Sequence, residues 1–291
     1  MENLNTQVIL EVVKSGSFKR AADSLGYTQA GVAYIINAAE KAWNIKLFVR
    51  EYGGVRLTEE GKILLPYIQQ IDKLQRQMLQ KVNEINHLEA GQIRIVSFEV
   101  AYIHWLPEIV ASFKADYPKI DFEFITCEDR NEAARKIYDG DADIGFFILP
   151  VSKPIDTIPL LEEPMMAIVS PDHPLANAEC FPVSEIPNYP YISMKEDENS
   201  ELADIFDALG VHPKPAFTLE SDYADMAFVS KNLGYAIFSR TAALGAPFNL
   251  RALPFDREIN RTICLAVKSE SACSEIVRKF ISYTRKYMST L

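Results

Sequence analysis

Residues 15–43 read SGSFKRAADSLGYTQAGVAYIINAAEKAW, and NIKLFVREYGGVRLT follows at 44–58. Glycines punctuate this run. Ser15-Gly16 breaks a first helix, on which Leu4, Val8, Ile9, Val12 and Val13 fall at helical spacing, and Ser17 is placed to cap the next one. That second helix, Phe18 to Leu25, stops at Gly26, because glycine accepts the left-handed conformation that a tight turn between crossed helices demands. Thr28 caps a third helix. Its buried stripe is expected to be Val32, Ile35 or Ile36, Ala39 and Trp43, which turns Gln29, Ala30, Ala33, Tyr34 and Asn37 outward. Residues 47–49 and 55–57 flank Glu51-Tyr52-Gly53-Gly54, a strand, turn, strand pattern the size of a wing. The arrangement predicts a helix-turn-helix with its outer face free to read bases.

Toward the C-terminus, Thr58-Glu59-Glu60 opens a long helix with a hydroxyl cap and two acids where the helix dipole favours negative charge. Ile71, Leu74, Met78, Val82 and Ile85 recur at spacings of three and four, a seam suited to a second helix. The same stripe would also serve to dock on its own domain. A helix of roughly 30 residues spans about 45 Å, more than a small domain's core requires, which favours dimerisation. From Gln92 the pattern becomes short apolar runs at 93–98, 120–126, 142–148, 165–170, 216–221, 235–239 and 263–268, most separated by helical stretches. Such alternation argues for parallel sheets. The proline-rich stretch 150–164 and a closing helix at 274–287 suggest two lobes, with a ligand at the strand ends between them.

The bulk numbers agree with several folded units: 291 residues, 48% of them hydrophobic. A net charge of −10 looks wrong for a DNA binder until it is divided along the chain. Residues 1–90 hold 11 Lys and Arg against 10 Asp and Glu, leaving 19 against 30 for residues 91–291. Phosphate would repel the acidic rear and tolerate the near-neutral front. The cysteines Cys127, Cys180, Cys264 and Cys273 show no C-x-x-C spacing, so buried free thiols are expected rather than a zinc cage or redox motif. The opening MENLNTQVIL lacks a secretory pattern and no apolar stretch is long enough for a membrane span, so a cytoplasmic protein without membrane contact is expected.

Gly16-Ser17-Phe18, Ala21-Ala22, Leu25, Gln29, Val32, Glu40, Leu47-Phe48, Arg50, Leu57-Thr58 and Gly61 together resemble the signature of LysR-type transcription regulators. The rear resembles the same family's effector domain through Gly91-x-Ile-Arg-Ile, Leu106-Pro107, Tyr117-Pro118, 140–145 (GDADIG), His173-Pro174-Leu175 and 233–236 (LGYA). The resemblance implies an α/β chain in three parts: an all-α winged helix-turn-helix (1–58), a linker and dimerisation helix (59–90), and an effector domain (91–291). That last domain would be two-lobed, similar to type 2 periplasmic binding proteins, with lobe I at 91–164 and 267–291 and lobe II at 165–266. It also implies a double-stranded DNA operator, a small-molecule effector, a homodimer or homotetramer, and contact with RNA polymerase. No cofactor, metal site or catalytic residue is implied. Where the family commonly has a Pro, a Ser and often an Arg in the recognition helix, this chain has Ala30, Ala33 and Tyr34, and its wing offers Glu51 and only Arg56 before Leu57.

Roles follow from side-chain chemistry. Gln29 is suited to adenine's major-groove edge and Asn37 to the same or to phosphate, while Tyr34 is suited to a thymine methyl or sugar. Thr28 is placed to hold a phosphate, with Lys46, Arg50 and Arg56 on the backbone around the wing. For each basic residue, a solvated charge or a local ion pair is the competing expectation. By resemblance the effector site takes Phe98, Glu99, Val100 and Ala101, then Cys127 and Glu128, then Phe146, Phe147 and Ile148. Lobe II adds Ile192, Ser193 and Met194, with Glu220 and Ser221. This lining is apolar and acidic, and Val100 stands where relatives often have Ser or Thr, so an uncharged, aromatic or cationic effector is expected. An enzyme is the competing class, yet His87, His104, His173 and His212 are dispersed and neither G-x-S-x-G nor H-E-x-x-H occurs. A transport-type solute binder would share the rear fold but not the helix-turn-helix.

Overall fold

The structure, a computed structural model, describes residues 5–51, 54–85, 91–194 and 201–291. Leu4, Tyr52, Gly53 and His87 lie outside the described residues. The chain forms two compact units, residues 1–88 and 89–291.

In the front unit, α1 (Thr6–Ser15), α2 (Phe18–Leu25) and α3 (Gln29–Trp43) precede the hairpin β1 (Phe48–Glu51) and β2 (Gly54–Leu57), and α4 (Glu59–Ile85) closes it. The caps are those the sequence offers. Ser17 and Thr28 accept the N–H groups of Arg20 and Gly31, and Gly26 ends α2 in the left-handed region at φ 70°. Val8, Ile9, Val12, Ala21, Ala22, Val32, Ile36, Leu47 and Ile68 form one core. The stripe of α3 differs from expectation at its end: Trp43 is 36% exposed, whereas Glu40, one turn earlier, is buried. Gly54 packs so closely that a Cβ there would lie 2.6 Å from the carbonyl oxygen of Gly16. The adjacent Val55 N–H donates to that same oxygen, so the base of the hairpin is fixed to the α1–α2 turn. The hydroxyl of Thr6, itself buried, lies 3.0 Å from the Asp72 carboxylate and 2.9 Å from the Gln75 amide oxygen, tying α1 to α4.

In the rear unit the elements are β3 (Gly91–Ser97), α5 (Glu99–His104), α6 (Leu106–Asp116), β4 (Ile120–Thr126), α7 (Arg130–Asp139), β5 (Ile144–Ile148), β6 (Asp156–Val169), β7 (Tyr191–Met194), α8 (Glu201–Leu209), β8 (Pro215–Leu219), α9 (Asp222–Ser230), β9 (Ala236–Ser239), α10 (Arg240–Leu244), β10 (Arg251–Pro254), β11 (Asn260–Val267) and α11 (Glu275–Met288). Among the described residues, one seven-stranded sheet runs β10-β6-β11-β5-β3-β4, with β9 also on β6. It is mixed rather than parallel: β3 pairs in parallel with β4 and β5, whereas β11 and β6 pair antiparallel with their neighbours. Strand alternation sorts the side chains by face. Ile263, Leu265 and Val267 join α6 and α11 in one core, while Cys264 and Ala266 join α7 in another.

Strand β6 runs unbroken through Pro159 and Pro164, paired with β11 up to Pro164 and with β9 and β10 from Met165 on. Both prolines are accommodated where β6 changes partners or register. Strand β11, assigned by the sequence to lobe II, instead pairs with β5 and packs in lobe I, so the return to lobe I falls before residue 260 rather than at 267.

Candidate functional site

Two regions gather the residues singled out by sequence. On the front unit, Thr28, Gln29, Ala30, Tyr34 and Asn37 are exposed on α3, Tyr34 at 76%, while Ala33 is half-buried. The basic residues around the hairpin are less available than a count of charges suggests. Lys46 is 2.5 Å from the buried Glu40 carboxylate and Arg56 is 2.5 Å from Glu51, so two of the three cations assigned to the backbone are engaged locally. The side chain of Arg50, like that of Met194, is outside the described residues.

In the rear unit a cavity of about 430 Å³ lies between the lobes. Of the residues expected there, Phe98, Val100, Cys127, Glu128, Phe146, Phe147, Ile148 and Ile192 line it; Glu99, Ala101, Ser193, Glu220 and Ser221 are not part of its wall. The lobe II miss is one of register. Helix α9 begins at Asp222, just past Glu220 and Ser221, and its Asp222 and Asp225, three residues apart on one helical face, line the cavity in their place. That i, i+3 spacing was legible in the sequence. Arg130, Glu201 and Arg261 also line it and were missed; an arginine in a strand and an acid beginning a helix carry no signal of a shared cleft.

The arginines bridge the lobes. Arg130 of α7 meets Asp204 of α8 at 3.0 Å, and buried Arg261 of β11 meets Glu163 at 2.7 Å and Glu201 of α8 at 3.2 Å, with its guanidinium 5.6 Å from the centre of the Phe98 ring. Glu128 accepts the Glu99 N–H at 2.9 Å. Burial, with the neighbouring Asp222 and Glu99 charges, holds the Glu128 carboxyl above its usual range, and burial, with Glu99, does the same to Asp222. Burial also pushes the Cys264 thiol up to about 12 and raises Cys127 and Cys273, against thiolate reactivity. Of the four cysteines, all free, Cys264 alone is fully buried. Among the described residues no His, Cys, Asp or Glu cluster is arranged to hold a metal, and no helix is long and apolar enough to cross a membrane.

Comparison with known proteins gives both units the same origin. Residues 5–62 match the bacterial regulatory helix-turn-helix of the lysR family, and residues 86–289 match the LysR substrate binding domain. The HTH-type transcriptional regulator YvbU of Bacillus subtilis is 28% identical over 284 residues, 96% of each chain. The regulator LrrA of Synechococcus elongatus is 27% identical over 282 residues, 94% of this chain and 95% of its own. In fold, full-length CbnR in complex with its target DNA matches with a TM-score of 0.73 over 99% of this chain and 100% of that one, at 16% identity. With a helix-turn-helix ahead of a two-lobed α/β unit, and with family matches that together span nearly its whole length, this chain belongs to the LysR family of DNA-binding transcriptional regulators.

Proposed function

We propose that this regulator binds a double-stranded DNA operator through the outer face of α3 and the wing, as a homodimer or homotetramer, and that a small molecule held between the lobes modulates that binding. The observation that carries the first half is the exposed row Gln29, Ala30, Tyr34 and Asn37 on a helix whose first turn is capped by Thr28. Gln29 reads adenine, Tyr34 packs on a thymine methyl or sugar, Asn37 touches base or phosphate, and Thr28 holds a phosphate at the helix N-terminus. Arg50, with Lys46 and Arg56 when released from their carboxylates, contacts the backbone. The cleft supports the second half, being of a size that encloses one metabolite. The reading calls for no cofactor, for a cytoplasmic protein without membrane contact, and, by resemblance, for transmission to RNA polymerase through DNA bending.

Because Lys46 and Arg56 are engaged with Glu40 and Glu51, one dimer binds weakly and tetramer avidity supplies the remainder. Footprinting on the region upstream of the gene tests the whole reading. The parent protein protects a discrete site. Gln29→Ala loses about 1–3 kcal/mol of discrimination there and keeps its non-specific binding. Uniform binding along the fragment by the parent would contradict sequence reading by α3, and equal affinity of dimeric and tetrameric forms would remove the avidity.

A further inference from the structure

The walls of the interlobe cavity are apolar in part, with Phe98, Val100, Phe146, Ile192 and Phe238, and yet carry five carboxylates, Glu128, Asp129, Glu201, Asp222 and Asp225, against the two guanidiniums of Arg130 and Arg261. Both guanidiniums are already neutralised. Arg130 is held by Asp204, and Arg261 by Glu163 and Glu201. An anion seeking Arg261 would have to take it from Glu163 and leave that carboxylate, 3% exposed, buried without its counter-charge, which is the costly way to break such a pair; at Arg130 it would compete with the more exposed Asp204. Glu128 and Asp222, by contrast, form no ion pair among the described residues. They come from opposite lobes, Glu128 from the loop after β4 and Asp222 from the first turn of α9.

We propose that the cleft takes an organic cation, an ammonium group seated between Glu128 and Asp222 with a ring-sized apolar body against Phe98, Phe146 and Phe238. The proposal rests on the reading of the cleft as the effector site and gives that site a charge. A cation there relieves repulsion between the lobes and is desolvated into an acidic, aromatic-walled space, where charge-assisted hydrogen bonds and ring faces both favour it. The proton affinities of Glu128 and Asp222 are raised by burial first and by the neighbouring carboxylates second. One Glu128 oxygen is fixed by the Glu99 N–H, so the carboxylate is oriented before the ligand arrives.

Benzylammonium, benzyl alcohol and benzoate share one ring and differ in charge, and calorimetric titration of the full-length protein with each at neutral pH tests the assignment. Benzylammonium is expected to bind at least about tenfold more tightly than the other two, and Glu128→Gln and Asp222→Asn, both nearly isosteric, are each expected to weaken it by about tenfold. Val100→Trp, which fills the cavity, is expected to abolish binding. Tighter binding of benzoate, abolished by Val100→Trp, overturns the charge assignment and leaves the cleft as the effector site. Benzylammonium binding indifferent to all three substitutions places the ligand elsewhere and overturns both readings. No binding by any of the three probes overturns the ring-bearing ammonium, while the footprint with and without candidate metabolites judges the effector reading independently.

Discussion

The carboxylate of Glu40 is 5% exposed on a helix face that periodicity alone assigns to apolar residues. It accepts the N–H groups of Leu47 at 2.8 Å and Phe48 at 3.2 Å as well as the Lys46 ammonium, and so shapes the chain between α3 and β1. Glu40→Ala leaves those two amides without their acceptor and is expected to cost about 2–4 kcal/mol in urea unfolding of the front unit; an unchanged midpoint would show the amides satisfied otherwise. Glu51 plays the opposite part, because it is half-exposed and its partner Arg56 is 66% exposed. Little stability rests on such a surface pair. Glu51→Gln therefore leaves folding unaltered and releases one cation toward phosphate. Operator affinity is expected to rise, and the slope of log affinity against log salt to steepen by about one. A slope equal to the parent's would mean that Arg56 makes no phosphate contact.

At the scale of elements, the front of the molecule was legible because its signals are local. Each turn has its own glycine and each helix its own cap, and Ser17, Gly26 and Thr28 do in space what their positions in the sequence announce. The rear was less so. The second half of β6 reads as a strand, but its first half contains Pro159 and Pro164, and only its partner β11, about a hundred residues away, makes that half a strand. Arg261 reaches the cleft by the same long-range pairing, which spacing along the chain does not record. Helix α4 is the intermediate case. Its stripe was visible as a period, and the structure leaves Leu74 63% and Met78 60% exposed within the chain, with Ile85 at 76%. A row of this kind on a helix about 40 Å long is suited to a second copy. The double substitution Leu74→Glu, Met78→Glu is expected to leave the front unit folded, shift the protein toward monomer in sedimentation, and lower operator affinity by at least about tenfold through lost avidity. A dimer unaffected by the two charges would assign assembly to another surface.

Along the chain, negative charge is concentrated in residues 91–291, and five of the carboxylates there line the cleft. Glu128 and Asp222 are raised chiefly by burial and, from separate lobes, by neighbouring carboxylates, Asp222 and Glu99 for Glu128 and Glu99 for Asp222, with Arg261, tied to Glu163 and Glu201, opposing at Asp222. Their proton affinities are raised in the folded state, so between the ordinary carboxylate values and the raised ones the folded chain binds more protons than the unfolded chain. Stability from these groups is therefore gained as pH falls through the raised values and lost as pH rises through them, where the two carboxylates ionise at a cost. Glu201, raised by burial although Arg261 opposes it, contributes with the same sign. The thermal transition of the rear unit is thus expected to move upward as pH is lowered from neutral through the raised carboxylate values. The double variant Glu128→Gln, Asp222→Asn should be more stable than the parent at neutral pH and show a flatter rise. A parent profile already as flat as the variant's would mean that neither burial nor the neighbouring carboxylates raise these two groups in the folded chain. The same titration couples to ligand: acid that neutralises Glu128 and Asp222 removes the charge an ammonium would meet, so benzylammonium affinity should decline over the pH range in which the unliganded protein gains stability.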